Sequence, residues 1–310
     1  MAKLSTIKSK TVRKTVLYCP ACKKVLKQSA NNYSCLTCRR SFPIINGIPS
    51  LIIQRASVDS FDASAFEFLF QMEQTHFWHI GRREIILDVL KRNVPDLISS
   101  RMLEVGCGNG SVLAYLKQNG INIEGGDFYI EGLAFCRLRV KGVPLYQLDV
   151  LTLPFNSEFD VIGAFDVIEH IDDDVQALTE IKQSLKQGGT VAITVPAHRF
   201  LWSRSDEIAN HQRRYSKQEL VTKLQNAGFT VRKTSYFMFF LFPLLAAMRL
   251  IGKARTDSSN NGKVSSECLE LKTIPVLNAM FLGILRFERF LLRYFNLPFG
   301  ASLIVLAEKK

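Results

Sequence analysis

The first 58 residues hold no aspartate or glutamate, against eleven lysines and arginines. A segment without acids cannot pair its charges internally. It is therefore either a solvated face or a surface that meets phosphate, on nucleic acid or anionic lipid. Nearly all of the formal net charge of +12 sits there. The chain also lacks an apolar run of the roughly 20 residues that span a bilayer; the stretch 237–251 (FMFFLFPLLAAMRLI) is too short. Residues 1–16 are basic without an apolar core, which argues against a secretory leader. The seven cysteines include two C-x-x-C pairs, which suit a metal site in a reducing, intracellular compartment better than a disulfide framework. A hydrophobic content of 47% excludes a mainly disordered chain. At 310 residues there is room for an α/β core of roughly 200 residues and one or two small additions.

Composition divides the chain into four regions. Residues 1–16 form a basic tail, and 17–55 hold both cysteine pairs and end in FPIINGIPSLII. Helical patterns begin at Phe61, and from Arg101 apolar strands alternate with amphipathic helices, the pattern of a parallel sheet covered on both faces. Strands are predicted at Met102–Val105, Ile121–Gly125, Leu145–Leu148, Phe159–Ala164, Thr190–Val195, Thr230–Tyr236 and Leu303–Ala307. Residues 237–300 form a helical insertion before the last strand, with a polar loop at Lys253–Glu267.

Glu104, Gly106, Gly108 and Gly110 stand in the spacing E-x-G-x-G-x-G straight after a predicted strand. Glycine lets the backbone turn tightly and approach a ligand with no side chain between. The next helix then presents its free N–H groups to that ligand. A dinucleotide fingerprint would need glycine at 111, where the chain has Ser111. Asp127 ends the second strand, where a carboxylate can accept ribose hydroxyls, and Asp149 follows the third. Three acids in register converge on one crevice at the switch point of a doubly wound sheet.

LEVGCGNG, GGDFY, LDVLTLPF and FDVIGAFDVIEHI, followed by LKQGGTVAITVP, resemble the class I S-adenosylmethionine-dependent methyltransferases of the type 11 branch. The resemblance covers about residues 75–236 and the last strand. It implies a Rossmann-like, doubly wound seven-stranded α/β sheet over 61–236 and 301–310, with S-adenosyl-L-methionine as cofactor. It gives Glu104 and the three glycines the methionine and ribose portions, and Asp127 the ribose hydroxyls. Asp149 and Val150 would frame the adenine, and Phe165 would line the pocket.

Methyl transfer from a sulfonium is an in-line displacement, so alignment supplies much of the acceleration. A base is needed only for an acceptor that arrives protonated. The candidates are Glu169, His170, His198 and His211, on loops after the fourth and fifth strands. Asp166-x-x-Glu169-His170 resembles the E-x-x-E-H element of metal-assisted methyltransferases, with Asp for the first Glu. An i, i+3, i+4 set can share one helical turn, but Asp166 also suits a helix start, and a second divalent metal is not expected. In 198–215, Asp206, Arg214 and Tyr215 join His211 as predicted acceptor contacts; the alternative is that Tyr215 and His211 anchor the loop. Upstream, Glu73, His76, Trp78 and Arg82 resemble the N-terminal lid of enzymes from lipid and surface-glycan pathways, which places Trp78 and Arg82 near the acceptor.

Cys19-x2-Cys22 and Cys35-x2-Cys38, twelve residues apart, can bring four thiolates into one tetrahedron. In a segment with little core a metal supplies folding energy, and structural Zn2+ is the expected ion. The flanks CPAC, SCLTC and FPIINGIPSLI resemble Trm112-like zinc ribbons, a module that would brace the catalytic part or help hold substrate. Cys107, Cys136 and Cys268 read as packing or loop cysteines.

In 275–295, Arg286, Arg289 and Arg293 share one helical face beside an aromatic-rich apolar one. With Arg249 they suit an anionic membrane interface over 237–296; a helical hairpin covering the sheet edge is the alternative. The expected function is methyl transfer to a small-molecule, glycan or lipid-linked acceptor, cytoplasmic or peripheral on the inner face of a membrane. An RNA (rRNA/tRNA) methyltransferase using the basic module is the second expectation, opposed by the lack of interleaved aromatics for base stacking. A non-catalytic scaffold that keeps the cofactor fold is the third.

Overall fold

The computed structural model describes residues 15–53, 63–256 and 274–310. Most of the basic tail, the greater part of the polar loop and Cys268 lie outside the described residues. Near the start of the described chain, β1 (Lys27–Gln28), β2 (Asn32–Ser34), β3 (Ser41–Ile45) and β4 (Ile48–Pro49) form an antiparallel sheet in that order. Strands this short cannot bury a core alone, so the module docks on the larger body. Leu51 N–H donates to the Gln147 carbonyl at 2.7 Å, Tyr18 N–H to Pro154 at 2.9 Å, and Lys23 pairs with Glu180 at 2.6 Å. Leu17, Leu26, Phe42 and Leu51 join the same buried cluster as Leu148, Leu153 and Phe155.

Two helices, α1 (Ala63–Thr75) and α2 (Phe77–Asn93), lead into the main sheet. Its strands are β5 (Arg101–Val105), β6 (Asn122–Asp127), β7 (Leu145–Gln147), β8 (Phe159–Phe165), β9 (Leu185–Pro196), β10 (Phe229–Phe237) and β11 (Ser302–Lys309). Between them run α3 (Ser111–Gln118), α4 (Ile130–Arg139), α5 (Asp174–Ser184), α6 (Arg204–Ile208) and α7 (Lys217–Asn226). The central strands read as near-continuous apolar runs because both faces are covered. Strand order is β10-β11-β9-β8-β5-β6-β7. β5 pairs in parallel with β6 on one side and β8 on the other, and β11 runs antiparallel to both its neighbours. The order therefore reverses at β5 and β8, where the crevice opens. All seven predicted strands form. β9 begins at Leu185 rather than Thr190, because the chain leaves α5 already extended and pairs Leu185 with Phe159. Ser50 bridges to Gln147, so the cysteine module covers the open edge of β7.

The insertion contains α8 (Phe242–Thr256) and α9 (Pro275–Leu291). Here the expected basic membrane face is corrected. Arg286 grips Glu84 at 3.1 and 2.8 Å, Arg289 reaches Glu84 at 3.0 Å, and Arg293 reaches Asp88 at 2.9 Å. Glu84 is buried, and a buried carboxylate needs such partners, so these arginines clamp α9 onto α2. Arg249 donates to the Leu201 carbonyl at 2.9 Å. Apart from Arg286, what α9 turns to solvent is apolar. Among the described residues, no helix is long and apolar enough to cross a membrane.

Candidate active site

β5 delivers Glu104 and the glycine loop to the point where the strand order reverses. Gly106, Gly108 and Gly110 have φ of 66°, 49° and 74°, a region costly for any residue with a Cβ. Their surroundings differ. A Cβ on Gly110 would lie 2.4 Å from Cys136 Sγ, whereas one on Gly108 would meet nothing within 4 Å. Gly110 thus packs against α4, and Gly108 opens onto the crevice. Asp127 ties down the loop: it accepts Gly108 N–H at 2.7 Å and Tyr129 N–H at 2.9 Å. Each of its oxygens retains a lone pair for a ligand, and burial raises its pKa.

Glu104 is buried with Oε2 unpartnered, and burial pushes its carboxyl well above the usual range. Asn109 Oδ1 and Ser111 Oγ are likewise buried without partners. Each such group costs about 1–3 kcal/mol. A ligand carrying ammonium and hydroxyl groups supplies what they lack, so the residues present fit S-adenosylmethionine. Asp149 accepts Leu151 N–H at 2.9 Å and caps the 3₁₀ turn Val150–Thr152, with Val150 buried. Phe165 ends β8 with its ring turned back over Gly163.

Beyond β8 the chain turns sharply. Asp166 has φ 57° and binds Arg82 of α2 and the Thr194 hydroxyl, the latter at 3.0 Å. It therefore does not share a helical turn with Glu169 and His170. The 3₁₀ turn Ile168–His170 leaves Glu169 wholly buried, with neither carboxylate oxygen partnered. Burial, then the charge of Asp166, raises its pKa well above the usual range. His170 Nδ1 lies 3.3 Å from the Asn210 carbonyl, and His211 Nδ1 lies 2.9 Å from Asp206. The two rings approach at 4.8 Å. Three of the four base candidates therefore come together. The fourth, His198, stacks on Tyr236 at 5.1 Å with Nε2 buried and unpartnered, and burial lowers its pKa.

Three predicted acceptor contacts are corrected to anchors. Asp206 is buried, accepts Ser203 N–H at 2.9 Å to cap α6, and accepts Arg214 Nε at 2.7 Å. Burial opposes its charge, but the His211 hydrogen bond and the Arg214 charge bring its pKa down to about 2. Arg214 also donates to the Ala197 carbonyl at 3.0 Å. Tyr215, wholly buried, donates to Asp174 at 2.7 Å. Their polar atoms are spent inside the protein. Trp78 stacks on Phe237 at 5.7 Å, and Arg82 is held by Asp166. Two residues escaped the sequence analysis. Asn109 sits inside the glycine motif and could have been found there. His79, with Nδ1 buried and its pKa lowered by burial to about 3, had no local signal.

Elsewhere, the four sulfurs of Cys19, Cys22, Cys35 and Cys38 lie within 4.8 Å of one another. Cys19 and Cys38 approach at 3.6 Å, and Cys22 and Cys35 at 3.4 Å. The two knuckles repeat: Lys23 N–H donates to the Cys19 carbonyl at 2.8 Å and Arg39 N–H to the Cys35 carbonyl at 2.9 Å, both residues with φ near 57–58°. The cage suits a tetrahedral ion with metal–sulfur bonds of about 2.3 Å. Cys107 and Cys136 are buried free thiols.

A family profile describing a methyltransferase domain matches residues 77–234, about half of the chain. The chain belongs to this methyltransferase-domain family, and its fold is that of the class I S-adenosylmethionine-dependent enzymes. It is 27% identical over 144 residues to a malonyl-[acyl-carrier protein] O-methyltransferase of Enterobacter lignolyticus, covering 44% of this chain and 57% of that protein. The chain thus spans little more than half of that relative. A Mycolicibacterium smegmatis protein named "Probable S-adenosylmethionine-dependent methyltransferase" is 27% identical over 196 residues, covering 62% of this chain and 71% of its own. Phosphoethanolamine N-methyltransferase 2 of Haemonchus contortus, solved with S-adenosyl-L-methionine, superposes with a TM-score of 0.52 at 17% identity, over 84% of this chain and 61% of that one. That last likeness concerns the fold.

Proposed function

We propose that the chain methylates a lipid-linked or otherwise amphiphilic acceptor at the inner surface of a membrane. The apolar stripe that α9 turns to solvent carries this reading. Val276, Met280, Phe287 and Phe290 recur at helical spacing and are exposed, Val276 to 78%, and the exposed Tyr294 follows just past the helix end. Phe240, Leu244 and Met248 extend the patch, and Phe240 meets Phe287 at 5.7 Å. An exposed apolar surface of this kind marks a membrane or partner site, and interfacial helices bury such a stripe among lipid headgroups. The net charge of +12, carried mostly by residues 1–58 rather than by α9, adds non-specific attraction to anionic lipid. The patch also leads inward: His198 contacts Phe200 at 5.4 Å and Phe242 at 5.6 Å, linking α8 to the loop after β9.

In this reading Glu104, the backbone of the glycine loop, Asp127, Asp149 and Val150 hold S-adenosylmethionine, with Phe165 behind them. The bound cofactor supplies an electrophilic methyl on a sulfonium. A hydroxyl acceptor must lose its proton. His170 and His211, oriented through Nδ1 by Asn210 and Asp206, present Nε2 as the base beside Glu169. The four cysteines hold structural Zn2+.

Incubation with methyl-labelled cofactor and a lysate separated into lipid, small-molecule and RNA fractions is expected to place label in lipid. Label confined to RNA overturns the proposal. The wild type is expected to float with anionic vesicles, and Phe287→Glu/Phe290→Glu to lose flotation with unchanged circular dichroism. Equal flotation of the two proteins removes the membrane surface.

A further inference from the structure

Glu169, His170 and His211 each offer a ligand atom, and these atoms lie within 4.8 Å of one another. The set joins two loops distant in sequence, the turn after β8 and the segment between α6 and α7. Gln212 N–H locks them together by donating to the Glu169 carbonyl at 2.7 Å. Both imidazoles are oriented from behind. His170 Nδ1 faces the Asn210 carbonyl at 3.3 Å and His211 Nδ1 faces the Asp206 carboxylate at 2.9 Å. Such bonds assign the proton to Nδ1 and leave Nε2 with its lone pair, and a carboxylate behind the ring is the usual outer partner of a metal-bound histidine.

The third member is the telling one. Glu169 is wholly buried and neither carboxylate oxygen has a hydrogen-bond partner. A buried carboxyl left without donors is costly. The cations nearby are occupied: Arg82 is held by Asp166 and Arg214 by Asp206. His170 is exposed, so the cluster has a route from solvent.

We infer that these three residues form a binding site for a divalent first-row cation. Two imidazole nitrogens and one carboxylate oxygen take one side of the ion and leave positions open to water or to an acceptor oxygen. This is not the D-x-x-E-H turn considered from the sequence. Asp166 is spent on Arg82 and Thr194, and His211, 42 positions beyond Glu169 in the numbering, takes the third place. The ion would lower the pKa of a bound hydroxyl, with the imidazoles then acting as ligands rather than as the base. That consequence rests on the proposed acceptor end of the site; the binding itself does not.

Mn2+ is the probe, because it favours nitrogen and oxygen ligands over thiolates. The full chain, with its cysteine cluster loaded with zinc, is titrated with Mn2+ and the free ion followed by electron paramagnetic resonance. One bound equivalent per chain is expected, with affinity at least tenfold weaker in Glu169→Gln and in His170→Ala. Both substitutions are small, and circular dichroism checks their folding. Absence of binding at millimolar Mn2+, or equal affinity in wild type and Glu169→Gln, overturns the inference. So does binding that survives in the combined Glu169→Gln/His170→Ala variant and disappears when the four cysteines are replaced by serine. Mn2+ bound as expected alongside label found only in RNA would leave the ion site standing and sink the lipid acceptor.

Discussion

Gly108 and Gly110 look alike in the motif, yet they answer to different constraints. An alanine at either must adopt a left-handed backbone, at about 1–2 kcal/mol. At 110 the new methyl would also strike Cys136 at 2.4 Å, whereas at 108 it would enter open space. Gly110→Ala is therefore expected to lose about 2–4 kcal/mol of stability once overpacking is added. Gly108→Ala is expected to lose only the backbone part but to bind S-adenosylhomocysteine at least tenfold more weakly. Thermal unfolding and calorimetric titration measure the pair. If Gly108→Ala binds like wild type, the loop does not face the ligand. Which glycine plays which part was not legible in the chain, because it depends on α4, packed from about 25 residues away. That the acids at 104, 127 and 149 stand at or just beyond the C-terminal ends of β5, β6 and β7 was legible, because the hydrophobic period marks where each strand stops.

At the scale of elements, α9 is held by groups that its own sequence does not reveal. Its arginines read as a lipid-facing row until α2 supplies Glu84 and Asp88. Its single acid, Glu288, is wholly buried, accepts Phe239 N–H at 2.8 Å, and leaves its other oxygen unpartnered. Burial raises its pKa from 4.5 to about 7. The folded chain thus holds this proton more tightly than the unfolded chain. The contribution to stability is complete below about pH 4.5, falls as pH rises towards about 7, and is level above that. Denaturant midpoints at pH 5 and pH 7.5 are expected to differ in wild type, and to differ less in Glu288→Gln. An unchanged pH difference in the variant would show that Glu288 does not titrate in this range.

At the scale of the whole molecule, the cysteine module and the catalytic body share one buried cluster and a sheet edge. Removing an ion from the thiolate cage should therefore unsettle both. Structural zinc sites contribute on the order of 10 kcal/mol to folding. Chelation, or Cys35→Ser, is expected to lower the thermal midpoint of the whole chain in one transition. Two separated transitions would show that the module melts independently of the body.

The strands, the glycine turns and the paired C-x-x-C knuckles were readable in advance because they answer to local demands: hydrophobic period, sign of φ, and ligand spacing. The fates of the charged side chains were not. Arg286 and its partner Glu84 are 202 residues apart in the chain, and Asp166 and Arg82 are 84 apart. The sequence could specify that these groups be charged. Only the packing of α2 between α9 and the turn after β8 could decide which charge each would meet, and leave Glu169 with none.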